Sequence, residues 1–323
     1  MVVATTLSSS ERTRLESALA AVCKQAGVDS TGAELVRYTM NAVYRIHGAG
    51  VVVRMASGPN AMTLVSRVAQ VAAAFADFDL PTTRLAPNMR QPIHADGWSA
   101  TIWVLLPQSP GDRFEPVDLA APLRAIHGVV GKLPFELPAW DPIGKVRGHL
   151  AEVEALDGTE RDHVHDWADS QIGTPLKKIV DRLRQECDKL AGALSTVEWT
   201  LPPSVIHGDA HTGNLLRARD GQIVLCDLDS VGNGPPEWDL TPAAHGALRF
   251  GDDPARQAAL ARAYGLDVTT CPAWDVLRQG RELQLVTSVI ANLPGRPDVA
   301  DTLAHRLRSM LANDRSAVWH RYT

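Results

Sequence analysis

Residues 205–216 read VIHGDAHTGNLL. The run begins with apolar residues typical of a buried strand and continues into a loop whose two glycines favour turns. Within this loop, Asp209 and Asn214 lie five residues apart. Thirteen residues after Asn214, a second apolar run, Ile223–Cys226, ends at Asp227. One loop and one strand end therefore present a carboxylate, an amide and a second carboxylate.

This set of side chains matches the needs of phosphoryl transfer from ATP. The reaction requires a carboxylate that orients the attacking hydroxyl and accepts its proton, together with hard oxygen ligands for magnesium. The same residue types also occur in ordinary turns, because Asp and Asn side chains bond to their own backbone. Their combination with two flanking strands favours the catalytic interpretation.

The order and spacing of these residues resemble a known family. His207-Gly208-Asp209, four intervening residues and Asn214 are followed by Asp227-Leu228-Asp229 and by GPPEWDL at residues 234–240. This pattern resembles the core of the aminoglycoside phosphotransferase and choline kinase superfamily. The resemblance implies an α+β, protein-kinase-like, two-lobed fold with a smaller lobe containing a β-sheet and a larger, mainly helical lobe. It implies that Asp209 is the catalytic base, that Asn214 and Asp227 bind Mg²⁺, and that Asp239 supports the His207 loop.

The N-terminal part of the chain is similar to the nucleotide-binding lobe of that family. Residues 41–46 and 51–55 resemble its two strands beside the nucleotide, and the second strand carries Arg54, which would contact the phosphates of ATP. The family pairs this cation with a glutamate on the next helix, but residues 64–69 read LVSRVA and contain no acid. What holds Arg54 is therefore left open. An arginine offers a fixed fork of donors that suits phosphate.

The remaining nucleotide contacts are expected from backbone groups. The sequence contains neither a GxGxxG run nor a Walker motif, so the hairpin around Met40 and Asn41 would cover the phosphates with its amides. The segment Trp98–Leu106 resembles the strand and linker whose backbone reads adenine, which places Leu105 at the base. ATP is the expected donor, with GTP as an open alternative.

Periodicity predicts the elements around these motifs. A first helix over residues 10–26 is capped by a serine cluster and ends at Gly27, and a three-stranded antiparallel meander follows. The predicted lobes are residues 1–107, for nucleotide binding, and 108–323, for catalysis and acceptor binding. The predicted strands are 35–39, 42–46, 51–56, 98–106, 204–206 and 222–228, and the other predicted helices are 61–76, 174–195, 237–249, 253–264, 272–293 and 297–313.

Composition limits the partners and the location. The 323 residues include 32 basic and 37 acidic ones, a formal charge of −5, which disfavours binding to nucleic acid. The sequence has no signal peptide pattern and no apolar run long enough to span a membrane. Its four cysteines are widely spaced, which favours a reducing cytoplasm over a disulfide framework. The expected partner is a small molecule with a hydroxyl, and the oligomeric state is open.

Two other functions remain compatible with the sequence. His207, Asp209 and His211 could ligate a metal in a hydrolase. A pseudokinase that binds nucleotide without transfer is motivated by the missing helix glutamate. For a kinase, the acceptor could be an aminoglycoside, an amino sugar or a similar metabolite. Acids that could line a pocket for a cationic sugar are Asp162, Asp166, Asp169, Glu237 and Glu282.

Overall fold

The computed structural model describes residues 7–38, 41–109, 111–129 and 131–322. These residues form two compact units. The first unit contains the chain up to Phe114, residues 122–136 and residues 212–231; the second contains residues 115–121, 137–211 and the chain from Gly232 onward. The segment 212–231 joins the first unit because its strand pairs with residues 81–83 there: the Leu225 N–H donates to the Pro81 carbonyl and the Thr83 N–H donates to the Leu225 carbonyl, both at 2.9 Å. The functional division at residue 107 stays a prediction.

The α+β fold class is confirmed. Within the described ranges, the α-helices are α1 (Ser9–Ala26), α2 (Ala61–Asp77), α3 (Ala120–His127), α4 (Pro142–Ala155), α5 (Gly158–Trp167), α6 (Leu176–Leu194), α7 (Glu237–Arg249), α8 (Pro254–Tyr264), α9 (Trp274–Thr287) and α10 (Ala300–Leu311). The strands there are β1 (Glu34–Tyr38), β2 (Asn41–Ile46), β3 (Val51–Ser57), β4 (Ile93–Ala95), β5 (Trp98–Val104), β6 (Ser204–Ile206), β7 (Leu215–Arg217), β8 (Ile223–Leu225) and β9 (Gly232–Gly234).

The first unit is built on a five-stranded antiparallel sheet in the order β1-β2-β3-β5-β4. This sheet contains the predicted meander; Thr39, the predicted end of its first strand, and Met40, in its predicted first turn, lie outside the described residues. Alternate side chains of β2 and β3, including Tyr44, Ile46 and Val53, pack with α1 in one apolar core. Strand alternation therefore sends Arg54 to the opposite face of β3.

The ends of α1 follow the predicted capping chemistry. Ser8 and Glu11 form a capping box, in which the Glu11 N–H donates to the Ser8 hydroxyl and the Ser8 N–H donates to the Glu11 carboxylate. Gly27 ends the helix in the left-handed conformation, with a φ of 69°. These local signals explain why the sequence located this helix to within one residue at its start.

The second unit is mainly helical. Its core joins the apolar faces of α4, α6, α9 and α10, and the stripe predicted along α6, including Ile179, Leu183 and Leu190, is buried there. The short strands β6 and β9 pair antiparallel. Helix α9 ends at Thr287, six residues before the predicted end. Among the described residues, no helix is both long and apolar enough to cross a membrane.

Candidate active site

The loop that carries Asp209 belongs to the second unit and is held by the start of α7. It follows β6, and its backbone N–H groups at His207 and Gly208 donate to the two carboxylate oxygens of Asp239 at 2.6 and 2.8 Å. The Trp238 indole N–H donates to the Gly208 carbonyl at 2.9 Å. Gly208 has a φ of 82°, a conformation that glycine adopts without strain. The predicted supporting role of Asp239 is therefore confirmed.

Four basic side chains act on the carboxylate of Asp209. Its side chain is 39% exposed, and one carboxylate oxygen accepts a hydrogen bond of 3.1 Å from Nη1 of Arg281, on α9. The other oxygen lies 3.8 Å from Nε2 of His211. Burial by itself would raise the pKa of Asp209, but Arg281, His211, His207 and Lys145 outweigh it and lower the pKa below its ordinary value. Asp209 is thus a carboxylate that stays ionised and can accept a hydrogen bond from a hydroxyl.

The two predicted magnesium ligands share a hairpin of the first unit. Asn214 ends a 3₁₀ turn, Thr212–Asn214, directly before β7, and β7 pairs with β8 so that Leu215 faces Leu225. The Cys226 N–H donates to the Asn214 carbonyl at 2.9 Å, which ties Asn214 to the residue just before Asp227. The structure therefore brings together two residues that are separated by twelve others in the sequence.

Asp227 has an unusual backbone. Its φ of 63° places a residue other than glycine in the left-handed region, and this conformation ends β8 earlier than the predicted strand end at Leu228. Such strain is concentrated at functional sites, where it aims a side chain. The Asp227 carboxylate lies 3.2 Å from Arg54 Nη2 and 3.7 Å from Arg37 Nη2.

The residue that holds Arg54 is Asp229. The two terminal nitrogens of Arg54 donate to the two carboxylate oxygens of Asp229 in a bidentate pair. The Arg54 side chain is only 14% exposed, and burial would lower its pKa, but Asp229 and Asp227 outweigh burial and raise the pKa. The second acid of the Asp-Leu-Asp run thus takes the place that a helix glutamate has in the resembling family.

Helix α2 contributes a base where the resemblance led us to look for an acid. Nη2 of Arg67 donates to the backbone carbonyl of Asp229 at 3.3 Å. Asn41, which begins β2, lines one small cavity with Arg54, Leu64 and Asp229. Its predicted neighbour in the phosphate-covering hairpin, Met40, lies outside the described residues. Leu105 follows β5, and its N–H donates to the Gly50 carbonyl at 2.9 Å.

Two acids suggested for an acceptor pocket serve the protein interior instead. Glu237 is fully buried, and its Oε1 accepts the N–H groups of Thr200 and Leu201 at 2.8 and 2.9 Å. Glu282 is also buried and accepts from Arg249 at 2.7 Å and from Arg278 at 2.9 Å. That part of the prediction is wrong because both side chains are buried and bonded within the protein. The other three, Asp162, Asp166 and Asp169, are exposed.

The alternative metal site of a hydrolase finds little support in the geometry. Within the ranges that the structure describes, no three His, Cys, Asp or Glu side chains are grouped to hold a metal ion. His207 is fully buried, and its backbone is bound to Asp239. The sequence-based hypothesis of a His207, Asp209 and His211 centre therefore lacks the convergence that such a site needs.

The chain matches the family model described as phosphotransferase enzyme family over residues 36–279. It belongs to that family. The match covers more than half of the chain and includes Arg54, Asp209, Asn214 and Asp227. The enzyme class expected from the sequence, a small-molecule kinase, is confirmed. No curated protein matches the chain.

Solved structures of kinases with low sequence identity share the fold. An aminoglycoside phosphotransferase from Streptomyces rimosus, in complex with ADP and streptomycin, aligns with a TM-score of 0.56 at 17% identity over 84% of this chain and 98% of that one. Choline kinase LicA from Streptococcus pneumoniae has a TM-score of 0.58 at 11% identity, covering 95% and 100%. An amicoumacin kinase in complex with AMP-PNP, Ca²⁺ and Ami has a TM-score of 0.63 at 11% identity, covering 96% and 95%. Identities this low show the fold alone.

Two groups important in the structure were missed by sequence reasoning. Arg281 reaches Asp209 from 72 positions further along the chain, and nothing in its local sequence distinguishes it from a surface arginine. The partnership of Asp229 with Arg54 spans 175 positions. The sequence did contain a signal for the pairing of Arg54 with Asp229. Because α2 offers no acid, Arg54 needs a carboxylate from elsewhere, and Asp229 is the second acid of the Asp-Leu-Asp run.

Proposed function

We propose that this enzyme transfers the γ-phosphoryl group of ATP to a hydroxyl of a small molecule. The observation that carries the proposal is the hairpin in which the Cys226 N–H to Asn214 carbonyl bond holds Asn214 beside Asp227. Asp209 precedes Asn214 by five residues in the same segment. Family membership supplies the general reaction, and these residues supply the specific roles.

The proposed magnesium ligands fit the ion. An amide oxygen at Asn214 and a carboxylate at Asp227 are the hard oxygen donors that Mg²⁺ prefers, with water and phosphate oxygens completing the shell. The strained backbone of Asp227 is the kind of feature that a binding role explains. When bound, the ion would offset negative charge on the phosphates as the γ-phosphoryl group departs.

The proposed roles of Asp209 and Arg54 follow from the residues that surround each of them. Asp209, kept ionised by Arg281, would orient the acceptor hydroxyl and accept its proton. Arg54, held in place by Asp229, would contact the phosphates through its fork of donors. The Leu105 N–H is already used by Gly50, so adenine would have to engage the Leu105 carbonyl. We further propose that the Asn41 amide contacts a phosphate. GTP is an alternative donor, and the cytoplasm is the proposed location.

The first experiment measures the melting temperature with ATP, with and without Mg²⁺. A ligand that binds only the folded state stabilises it by mass action and so raises the melting temperature. At a ligand concentration of a hundred times Kd, the free energy of unfolding increases by about 2.7 kcal/mol. We expect a magnesium-dependent rise in the wild type that shrinks in Asp227→Asn. The control is Asp77→Asn, which removes an exposed acid at the end of α2. An equal rise in Asp227→Asn and wild type would contradict the assignment of Asp227.

The second experiment separates the base from nucleotide binding. Asp209→Ala should leave the magnesium-dependent rise with ATP intact, because the variant keeps Arg54 and both proposed metal ligands, Asn214 and Asp227. The same variant should lose transfer to any acceptor that the wild type phosphorylates, by roughly 10²- to 10⁴-fold. Turnover near the wild-type value would remove Asp209 from the proposed role.

A further inference from the structure

The surroundings of Asp209 point to the charge of the acceptor. We propose that Arg281 is a specificity-determining residue that binds an anionic group, a carboxylate or a phosphate, on the same small molecule whose hydroxyl faces Asp209. This inference rests on the proposed function, because it takes Asp209 as the base. Among the acceptors that the sequence left open, it favours a hydroxyl compound that carries negative charge over a cationic sugar.

Arg281 has donors to offer a ligand. A guanidinium carries five N–H donors, and in the described part of the chain the hydrogen bond that Arg281 makes is from Nη1 to Asp209. Its side chain is 16% exposed, so the group is largely desolvated yet reachable. Because the fork is planar and fixed, a guanidinium that bonds to Asp209 through one nitrogen can bind a second anion through its other edge.

The charges around Arg281 are predominantly positive. On the same helix, Arg278 lies three residues earlier, and Arg249 on α7 donates to Glu282, the residue that follows Arg281. These two arginines share one carboxylate, that of Glu282, at 2.9 and 2.7 Å. Asp275 lies 3.6 Å from Arg278, but this acid is 61% exposed and therefore strongly solvated. The buried part of this cluster thus holds more positive than negative charge.

Two further basic residues act on the carboxylate of Asp209. His211 lies 3.8 Å from its carboxylate, and Lys145 on α4 acts on it electrostatically in the same direction as Arg281. Of the five acids that the sequence suggested for a cationic acceptor, Glu237 and Glu282 are buried with their own partners. A polycationic acceptor would therefore meet like charges around the base, whereas an anionic acceptor would be attracted.

The test compares acceptors that differ only in charge. Two matched sets are glycerate, glycerol and 3-aminopropane-1,2-diol, and glucuronate, glucose and glucosamine, with kanamycin as a polycation. Binding is measured as the rise in melting temperature in the presence of Mg²⁺ and a nonhydrolysable ATP analogue, and turnover as acceptor-dependent release of ADP. We expect the anionic member of at least one set to bind best, by roughly tenfold or more, as one charged hydrogen bond provides.

Substitution of Arg281 separates recognition from support of the base. Arg281→Gln should weaken binding of the anionic member by roughly tenfold and leave the neutral member within about twofold. The control Arg262→Gln, at an exposed arginine on α8, should change neither. A loss that is equal for all members would mean that Arg281 only positions Asp209, and it would overturn the inference.

Other outcomes are equally decisive. Preference for the neutral or cationic members in the wild type, or no binding of any anionic member, overturns the inference. Suppose that one of these acceptor results is obtained. The proposed function still stands if ATP with Mg²⁺ raises the melting temperature of the wild type and this rise shrinks in Asp227→Asn; only the inference about acceptor charge then fails. If ATP has no effect, the proposed function itself fails.

Discussion

The Arg54 to Asp229 pair allows a sharp test of what holds Arg54 in the first unit. Asp229→Asn keeps the size of the side chain and removes its charge. The amide nitrogen would then face one of the two donors of Arg54, so one hydrogen bond of the bidentate pair becomes a repulsion between two donors. Asp227 would be left as the remaining carboxylate beside Arg54.

The expected size of the effect follows from burial. Breaking a buried ion pair by removing one partner costs about 3–5 kcal/mol, because the other charge stays buried without compensation. The side chains here are 14% and 24% exposed, so water screens them little. Since Asp227 lies 3.2 Å from Arg54 and compensates in part, we expect a loss of about 2–3 kcal/mol in the free energy of unfolding.

A second-site variant can restore the missing charge. Leu64 on α2 lines the same small cavity as Arg54 and Asp229. Leu64→Glu in the Asp229→Asn background places a carboxylate on the helix, as in the resembling family, and should recover about half of the lost free energy. The assay is urea unfolding followed by circular dichroism, with the magnesium-dependent ATP shift measured in parallel. Asp77→Asn serves as the exposed control.

Two results would refute this reasoning. If Asp229→Asn unfolds within about 0.5 kcal/mol of the wild type, the range of ordinary surface substitutions, the pair does not hold Arg54. If Leu64→Glu rescues stability but the ATP shift stays lost, Asp229 acts on the nucleotide or its metal directly rather than through Arg54. Recovery of both properties supports the positioning role.

Two further predictions concern the second unit. Asp239→Ala should lower the free energy of unfolding by about 2–5 kcal/mol in urea, because the buried N–H groups of His207 and Gly208 lose their acceptor; a cost as small as that of the exposed control Asp162→Ala would contradict this. Burial, and then nearby arginines, hold the pKa of His245 well below 6.5. Below about pH 6.5 the unfolded chain therefore binds a proton at His245 that the native state does not bind, and the free energy of unfolding should fall as the pH drops. His245→Gln should flatten that slope, by up to about 1.4 kcal/mol per pH unit, in urea titrations between pH 5 and 7; an unchanged slope would contradict it.

Sequence reasoning succeeded where the signal was local. The loop spacing from His207 to Asn214 and the strand before Asp227 depend on neighbouring residues, and the structure places them on the predicted elements. Helix α7 has the predicted bounds, Glu237–Arg249. The family resemblance, carried by those same motifs, identified the enzyme class.

The sequence by itself determined the family, the α+β fold class and the residues proposed for catalysis, because strand alternation, helix periodicity and motif spacing act over short stretches. Only the tertiary structure decided the partners of the charged groups. Arg54 meets Asp229 across 175 positions, and Arg281 meets Asp209 across 72. The sequence around a charged residue does not identify its partner, since Coulomb attraction and burial depend on distance in space. For that reason the sequence left the acceptor open, and the basic surroundings of Asp209 became visible only once the chain was folded.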